Sequence, residues 1–395
     1  MKLIRNIVFI LCTVLIATSY AENYPQEAHL SQKQAEGGEL KTFPEVSRYV
    51  NEVGQRLAKV SHTSHLPYEF VVINCSEPNA WAFPDGKIGI TRGFFNMLHN
   101  EAELAAILAH EIGHQVGYER EKQLEKKTAY RLSNPKGFKF VDYVNDVIET
   151  KKMREAEFEA DRCAIEYLSK AGYDVKAANE VQSRFKKFEQ NSSHMPDLTN
   201  THPKVDERLA ANLQTMKRFP SRKNATYGKQ NYDKIIGPLK KVNPVYDTYE
   251  QGEIALQNGD YQNAKQIALQ AVKQIPNESR FYGLLGKAHI ELGNPQEGLK
   301  ALDKALSLDH EYFEHHLMKG IAMKNLGYYD QAQLALEKSQ NLYPTPVGDF
   351  HLGEIALKKA HYEAAKRFFR MASTSDSTIG EKAKKALIYV EKNFS

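Results

Sequence analysis

The sequence predicts an α+β fold for its first part, a mostly helical domain with a small sheet, followed by an all-α solenoid of paired helices. In residues 22–242, helical apolar periodicity surrounds two short apolar stretches, 68–74 and 87–91, that are typical of buried strands. In residues 243–395, small residues recur at a fixed interval, which indicates a repeat. A chain of 395 residues is long enough for two such domains.

The first 21 residues have the organisation of a secretory signal peptide. Lys2 and Arg5 precede an apolar run from Ile7 to Ala17, and cleavage is expected after Ala21. The run has 11 residues, whereas about 20 are needed to span a bilayer. The sequence therefore predicts an exported chain with no transmembrane segment after cleavage, and a membrane anchor is the alternative.

Charge and cysteine content limit the classes of function. The formal net charge of +4 falls to +2 when Lys2 and Arg5 leave with the signal peptide, which argues against a nucleic-acid partner. The mature chain keeps two cysteines, Cys75 and Cys163. In an oxidising compartment they either form one disulfide or remain two separate buried thiols, and their spacing leaves both possibilities open.

The clearest indication of a chemical function is the sequence His-Glu-Ile-Gly-His at residues 110–114. On a helix, His110 and His114 face the same way and can share one metal ion. Glu111 lies beside them, where its carboxylate can take a proton from water. Asn100 is the predicted N-cap of this helix, whose other residues are mainly apolar. Because burying such groups without a partner costs several kcal/mol, a metal site is favoured over a solvated polar face.

A third metal ligand is predicted on a later helix. A catalytic zinc ion usually takes three protein ligands and leaves its fourth position open. Glu157 and Asp161 are four residues apart, so both can face one site from a second helix. We assign Glu157 to the metal and Asp161 to the free N–H of a ligand histidine, which fixes the tautomer of that imidazole. The alternative is a solvated acidic face, which also describes the neighbouring charged residues Glu155, Glu159, Arg162 and Glu166.

Four motifs in order resemble the M48 metallopeptidases. The motifs are the strand sequence 79–86, the His-Glu-x-x-His helix at 110–114, Glu-x-x-x-Asp at 157–161 and His-Pro-x-x-x-x-Arg at 202–208. The resemblance implies a zincin-type metalloprotease domain with one zinc ion per chain. It assigns the zinc ligands to His110, His114 and Glu157, with Glu111 as general base and Asp161 behind the ligands.

The resemblance also implies a strand that binds substrate beside the cleft. An extended peptide would pair with this strand through backbone hydrogen bonds. Residues 87–91 are expected to be the strand at the cleft, and the Trp81 side chain either contacts substrate or fills the core face of the sheet. The expected substrate-binding residues are Asn79, Ala80, Trp81 and Ala82.

His202 and Arg208 are implied to stand near the scissile carbonyl, as oxyanion-stabilising or gating groups. His202 could instead occupy the open position of the zinc ion and hold the enzyme latent. From the residues alone, a His-Pro pair in a polar loop is more often a plain turn than a catalytic group, and His194 in the same polar loop competes with His202.

The second half carries glycines at 252, 286, 320 and 353, spaced 34, 34 and 33 residues apart. Small residues recur 12 and 19 positions beyond each glycine, at Ala264, Gly298, Ala332 and Ala365, then at Ala271, Ala305, Ser339 and Ala372. This is the tetratricopeptide pattern, in which small residues let paired helices approach. About four repeats and a closing helix from 380 to 395 are expected, and a generic array of helical hairpins is the alternative. Such solenoids present a concave binding surface.

The resemblance, extended to the whole arrangement of signal peptide, protease domain and repeats, implies a periplasmic zinc endopeptidase, placed free in the periplasm or at the outer-membrane surface. Its implied substrates are unfolded or misassembled envelope proteins, in outer-membrane protein quality control. The implied partner of the repeats is the outer-membrane barrel-assembly machinery. Two alternatives are a repeat-based chaperone or binding protein with a latent or residual metal site, and a zinc hydrolase that is not a peptidase. Glu111 argues against the first, because a structural zinc ion needs no general base.

Overall fold

The computed structural model describes five stretches of the chain and divides them into two compact units. One unit is 43–241, and the other is 242–394 together with the described residues before 43. The stretches are 33–35, 37–83, 86–132, 145–191 and 205–394, without the side chains of 120–132, 145–153 and 188–191. The predicted signal peptide and the loop that holds His194 and His202 lie outside the described residues.

The unit 43–241 is mostly helical with a small sheet, which confirms the predicted α+β class. Its described elements are α1 Pro44–Ala58, β1 Glu69–Ile73, β2 Ala80–Ala82, β3 Lys87–Thr91, α2 Phe94–Met97, α3 Glu101–Leu132, α4 Asn145–Ala171, α5 Lys176–Asn191, α6 Val205–Arg218 and the first part of α7 Lys229–Gln257. None of the helices within the described residues is both long enough and apolar enough to cross a membrane.

The described strands form one sheet in the order β1-β3-β2. β1 pairs in parallel with β3, so that Phe70 stands opposite Ile88, and β2 pairs with β3 in the antiparallel direction. β3 is therefore the central strand, and its residues from 88 to 91 are buried. α1 lies against β1, because a Cβ atom on Gly54 would lie 2.5 Å from the Phe70 ring.

The start of α3 is fixed by its own N-cap and by side chains from α1, from α5 and from the segment after α4. Asn100 is the N-cap, since its Oδ1 accepts a hydrogen bond from the Glu103 N–H at 2.9 Å. The buried Glu101 carboxylate accepts hydrogen bonds from the hydroxyls of Tyr49 and Tyr173, both at 2.7 Å. Arg184 makes a two-pronged ion pair with Glu103, at 2.5 and 2.9 Å. These bonds hold the helix that carries the histidine motif.

The second unit is built of helix pairs. Its helices are the end of α7, then α8 Tyr261–Gln274, α9 Ser279–Glu291, α10 Pro295–Leu308, α11 Phe313–Asn325, α12 Tyr329–Leu342, α13 Pro346–Lys358, α14 Tyr362–Ala372 and α15 Thr378–Asn393. The all-α solenoid predicted from the repeat is thereby confirmed.

Glycines stand where the paired helices cross. A Cβ atom on Gly286 would lie 2.6 Å from Leu302, and one on Gly320 would lie 2.6 Å from Leu336 and 3.1 Å from a backbone oxygen. The small residues at the other shared positions are buried, including Ala332 and Ser339 with no exposed surface. The recurring small residues are therefore the ones that permit close helix pairing.

Residues 33–42 pack with the repeats, although the predicted protease domain began at residue 22. The Gln34 side chain donates to the Glu311 carbonyl at 2.8 Å and accepts from the Phe313 N–H at 3.0 Å. Thr42 donates to the Glu278 carboxylate at 2.8 Å, and Leu40 has no exposed surface. Because these bonds satisfy backbone groups at the repeat turns, this segment belongs physically to the second unit.

Cys75 and Cys163 are not joined by a disulfide. Cys163 is buried in α4, and burial raises the pKa of its thiol. The structure thus contains the two separate thiols and not the disulfide alternative.

Gly320→Ala should lower the free energy of unfolding of the repeat unit by about 1–3 kcal/mol, the usual cost of overpacking. Gly237→Ala, in the part of α7 that belongs to the unit 43–241, controls for the substitution itself, because nothing lies within 4 Å of a Cβ atom at that helical position. In this variant, the higher helix propensity of alanine should leave the free energy of unfolding unchanged or raise it by up to about 1 kcal/mol. Urea unfolding measures both variants, and equal stabilities would show that Gly320 is not needed for the helix crossing.

Candidate metal centre

α3 and α4 cross closely at the candidate site. A Cβ atom on Gly113 would lie 2.7 Å from the Ala160 Cα, so only glycine fits at this point of α3. His110 and His114 flank Gly113 on one helix, and Glu157 and Asp161 flank Ala160 on the other. The crossing therefore brings the imidazoles against the carboxylates.

His110, His114 and Glu157 each offer one ligand atom, and these atoms all lie within 4.8 Å of one another. His110 Nε2 lies 3.4 Å from one Glu157 carboxylate oxygen, and His114 Nε2 lies 3.4 Å from the other. Ligand atoms at about 2.0–2.2 Å from a tetrahedral zinc ion are separated by about 3.3–3.6 Å. Two imidazole nitrogens and a carboxylate at these separations fit a zinc ion.

The charge around His110 also fits a cation. Burial by itself would lower the pKa of this imidazole, but hydrogen bonds to Asp161 and Glu157 raise it to about 10. The site thus attracts positive charge strongly enough to overcome the cost of burial. A bound metal ion would supply positive charge at the same place.

Asp161 lies behind the candidate ligands. Its Oδ1 is 3.0 Å from His110 Nδ1, which leaves the Nε2 of this imidazole facing Glu157. Burial would raise the pKa of the Asp161 carboxyl, but the guanidinium of Arg208 and the imidazole of His110 hold it well below its usual range. Asp161 is therefore ionised and can fix the tautomer of His110, the arrangement common to metal-binding histidines.

Arg208 contacts the carboxylates of both Asp161 and Glu157. Its Nε and Nη2 each lie 2.7 Å from Asp161 oxygens, and its Nη1 lies 3.1 Å from Glu157. Burial would lower the pKa of the guanidinium, but Asp161 and Glu157 raise it. Because three of its nitrogens are turned to these carboxylates, the geometry favours a positioning role over the predicted oxyanion-stabilising role.

Gln182 and Asn212 join the same network and were not predicted. Gln182 on α5 donates from Nε2 to Asp161 Oδ1 at 2.9 Å, and Asn212 on α6 donates to the Gln182 carbonyl oxygen at 3.2 Å. Asn212 is buried. Neither residue belongs to one of the four motifs, and only the packing of α5 and α6 against α4 brings them to Asp161.

Glu111 is buried at the same site. Its negative charge is one of those that raise the pKa of the Arg208 guanidinium. The adjacent histidines and this buried carboxylate satisfy the chemical needs of a metal-assisted hydrolase, in which a base must lie near the metal ligands. His202, the other residue predicted near the reacting carbonyl, lies outside the described residues.

β2 and β1 are the edge strands of the described sheet, and β3 lies between them. The expectation that residues 87–91 form the strand at the cleft is wrong, because β3 is paired on both sides. Asn79 accepts from the Thr91 N–H and Phe83 donates to the Lys87 carbonyl, both at 2.9 Å. By antiparallel alternation, the backbone groups of Ala80 and Ala82 between them point away from β3.

α3 is tied to the edge strand β2. Gln115 donates to the Phe83 carbonyl at 2.9 Å, and the Tyr118 hydroxyl donates to the Ala82 carbonyl at 3.2 Å. Both residues follow the histidine motif on the same helix, so the bonds fix β2 relative to the candidate metal ligands. Ala80 is then the residue of the predicted set whose N–H and C=O lie towards the open edge.

The Trp81 ring lies over Gly89 of β3. A Cβ atom on Gly89 would lie 2.2 Å from the ring, and Phe83 packs against it edge to face with a centroid distance of 5.1 Å. Trp81 is only partly buried. Its packing on the sheet fits the core-filling alternative, and a contact of the ring with substrate stays a prediction.

Comparison with known proteins matches both halves of the chain. Residues 44–216 match the sequence pattern of Peptidase family M48, and residues 255–320 match that of the tetratricopeptide repeat. The chain carries an M48 peptidase domain followed by tetratricopeptide repeats. The predicted resemblance to M48 metallopeptidases is thus confirmed.

The chain is similar to the beta-barrel assembly-enhancing protease of Yersinia pestis, with 26% identity over 190 residues, which cover 42% of this chain and 38% of that protein. It is also similar to the mitochondrial metalloendopeptidase OMA1 of Arabidopsis thaliana, with 29% identity over 157 residues, covering 38% and 32% of the two chains. The chain spans less than half the length of these relatives. A thermophilic tetratricopeptide protein of Thermus thermophilus aligns with a TM-score of 0.35 at 21% identity, over 46% of this chain and 96% of that one.

Gln182→Leu should weaken zinc binding about 10-fold, the lower end for a residue that orients a metal ligand through another group. The loss of one donor leaves Asp161 less firmly oriented towards His110. Asn179→Leu is the matched control, because Asn179 on the same helix bonds the Leu209 carbonyl at 3.3 Å and does not touch Asp161. Competition with a chromophoric chelator measures the affinity, and an equal loss in both variants would reduce Gln182 to a general packing role.

Proposed function

We propose that the chain is a zinc-dependent endopeptidase. The observation that carries this proposal is the meeting of His110, His114 and Glu157 at the crossing of α3 and α4, with Glu111 buried beside them. The M48 domain and relatives named as metalloendopeptidases support the reaction class. The proposed cofactor is one zinc ion per chain.

When bound by these three residues, a zinc ion supplies Lewis acidity, which polarises a carbonyl and lowers the pKa of a water molecule. Glu111 accepts the proton of the attacking water and passes it to the leaving amine. The Asp161 carboxylate, 3.0 Å from His110 Nδ1, favours a proton on Nδ1 and so leaves Nε2 directed to the site. Arg208 fixes the orientation of Glu157 and Asp161 and partly offsets their charge.

The substrate is proposed to bind as an extended strand along β2. The outward N–H and C=O of Ala80 would pair with the peptide backbone, which makes little demand on side-chain identity. Asn79, Trp81 and Ala82 shape this strand, while Tyr118 and Gln115 hold it beside α3. Such binding suits unfolded proteins, whose backbone is accessible.

The biological setting is proposed from the relatives and from the sequence. A beta-barrel assembly-enhancing protease among the similar proteins supports cleavage of unfolded or misassembled envelope proteins, in outer-membrane protein quality control. The signal-peptide pattern supports the periplasm as the location. Within this proposal, residues 243–395 bind the partner, with the barrel-assembly machinery as the proposed one, and residues 22–242 hold the catalytic groups.

Glu111→Gln should keep zinc and lower kcat/KM on an unfolded casein by about 10²–10⁴-fold, because it removes the general base but no metal ligand. Glu157→Ala should lose zinc and activity together. Metal analysis by mass spectrometry and a fluorescent casein assay, with and without a chelator, measure the two properties.

Glu155→Gln is the matched control, since Glu155 is an exposed carboxylate on the same helix as Glu157. It should retain both zinc and turnover. Purified protein that holds zinc but cleaves no unfolded substrate, with Glu111→Gln behaving like the unchanged chain, would favour the repeat-based chaperone or binding protein. Loss of zinc in Glu111→Gln with full retention in Glu157→Ala would contradict the ligand assignment.

A further inference from the structure

Helix α15 exposes two large apolar side chains on the side that faces away from its neighbours. Its inner face is buried through Gly380, Ala383 and Val390. On the outer side, Ile388 is 64% exposed and Tyr389 is 54% exposed. Because these two large apolar residues are adjacent, they form one patch, and exposed apolar patches mark surfaces that bind a partner or a membrane.

The exposed side of α15 is also strongly basic. The helix contains four lysines and two glutamates. Both glutamates are already paired, Glu381 with Lys384 at 2.8 Å and Glu391 with Arg370 at 3.2 Å. The positive charge of the other three lysines is therefore not offset within the helix.

These lysines lie in one stripe with the apolar pair. Positions 382, 385, 389 and 392 follow the three- and four-residue spacing that keeps side chains on one face of a helix, and 388 lies next to them. All five side chains are exposed. The stripe extends for about 15 Å along the helix. We call it the terminal face, and its residues are Lys382, Lys385, Ile388, Tyr389 and Lys392.

We propose that the terminal face docks on an anionic phospholipid surface. The lysines match the negative headgroups, and each lysine near such a surface contributes favourably. Ile388 can enter the boundary between headgroups and acyl chains, and Tyr389 can keep its ring there with its hydroxyl in water. The arrangement of a basic helix face around a few apolar residues is typical of helices that lie on a membrane and do not cross it.

A lipid surface fits this face better than a protein partner does. The terminal face is the convex, exposed side of a single helix. A flat surface can therefore contact all five of its side chains at once. Partner helices and peptides are instead bound in grooves between elements. An acidic protein surface is the competing occupant, and the experiment separates the two.

The test is co-sedimentation of the full-length mature chain with vesicles of phosphatidylcholine alone, or of an equimolar mixture with phosphatidylglycerol. The chain should sediment with the mixed vesicles, and much less with phosphatidylcholine. Binding should fall when salt is raised from about 0.1 M to about 1 M, where the Debye length shrinks from about 10 Å to about 3 Å. Lys385→Glu should weaken binding by about fivefold or more, and Ile388→Ser by about threefold to tenfold.

Two matched variants serve as controls. Lys273→Glu reverses an exposed lysine of α8, and Leu334→Ser removes a leucine of α12 that is 68% exposed, both away from the terminal face. Neither should change vesicle binding, and circular dichroism should show all four variants folded. Equal losses in the controls, or equal binding to both kinds of vesicle, would overturn the proposal. Failure to sediment with anionic vesicles would also overturn it and would leave an acidic protein surface as the occupant.

Discussion

The close approach of α3 and α4 is the constraint on which the candidate site depends. Gly113 meets the backbone of Ala160 so closely that a Cβ atom would lie 2.7 Å from it. A larger residue there would push the helices apart and separate the histidines of α3 from Glu157. A glycine inside a helix costs about 1 kcal/mol relative to alanine. Gly113 is nevertheless present, because the close crossing of the two helices requires a residue without a side chain.

Burial of charge at this crossing explains why a cation belongs there. Three buried carboxylates, those of Glu111, Glu157 and Asp161, share the site with one guanidinium, that of Arg208. Uncompensated charges in an apolar environment are strongly unfavourable. Protonation of His110 relieves part of the imbalance, as its raised pKa shows. A divalent ion held by both imidazoles and a carboxylate offsets more of it and creates the Lewis acid that peptide hydrolysis needs.

The sequence predicts those parts of the site that depend on helical spacing. Two histidines four residues apart must share a helix face, and the same holds for Glu157 and Asp161, so their chemistry can be inferred before the fold is known. The recurring glycines and alanines of the repeats are predictable for a similar reason, because close helix pairing requires small residues at fixed positions.

Features that depend on non-local packing could not be predicted. The strand order places β3 in the centre, since β1 pairs with it from 18 residues earlier in the chain, and no local pattern shows that β2 is an edge. The role of Arg208 depends on the direction in which α6 presents it. Gln182 reaches Asp161 only because α5 packs beside α4, and Gln34 bonds to repeat turns far along the chain. In each case the partner is distant in sequence.

X-ray absorption at the zinc edge of the purified chain tests the central claim most directly, because it reports the atoms bound to the metal. The account predicts two imidazole nitrogens and oxygen donors at about 2.0–2.2 Å, with one nitrogen donor lost in His114→Ala. A sulfur donor at about 2.3 Å, which would implicate Cys75 or Cys163, would contradict it. So would an unchanged absorption spectrum in His114→Ala.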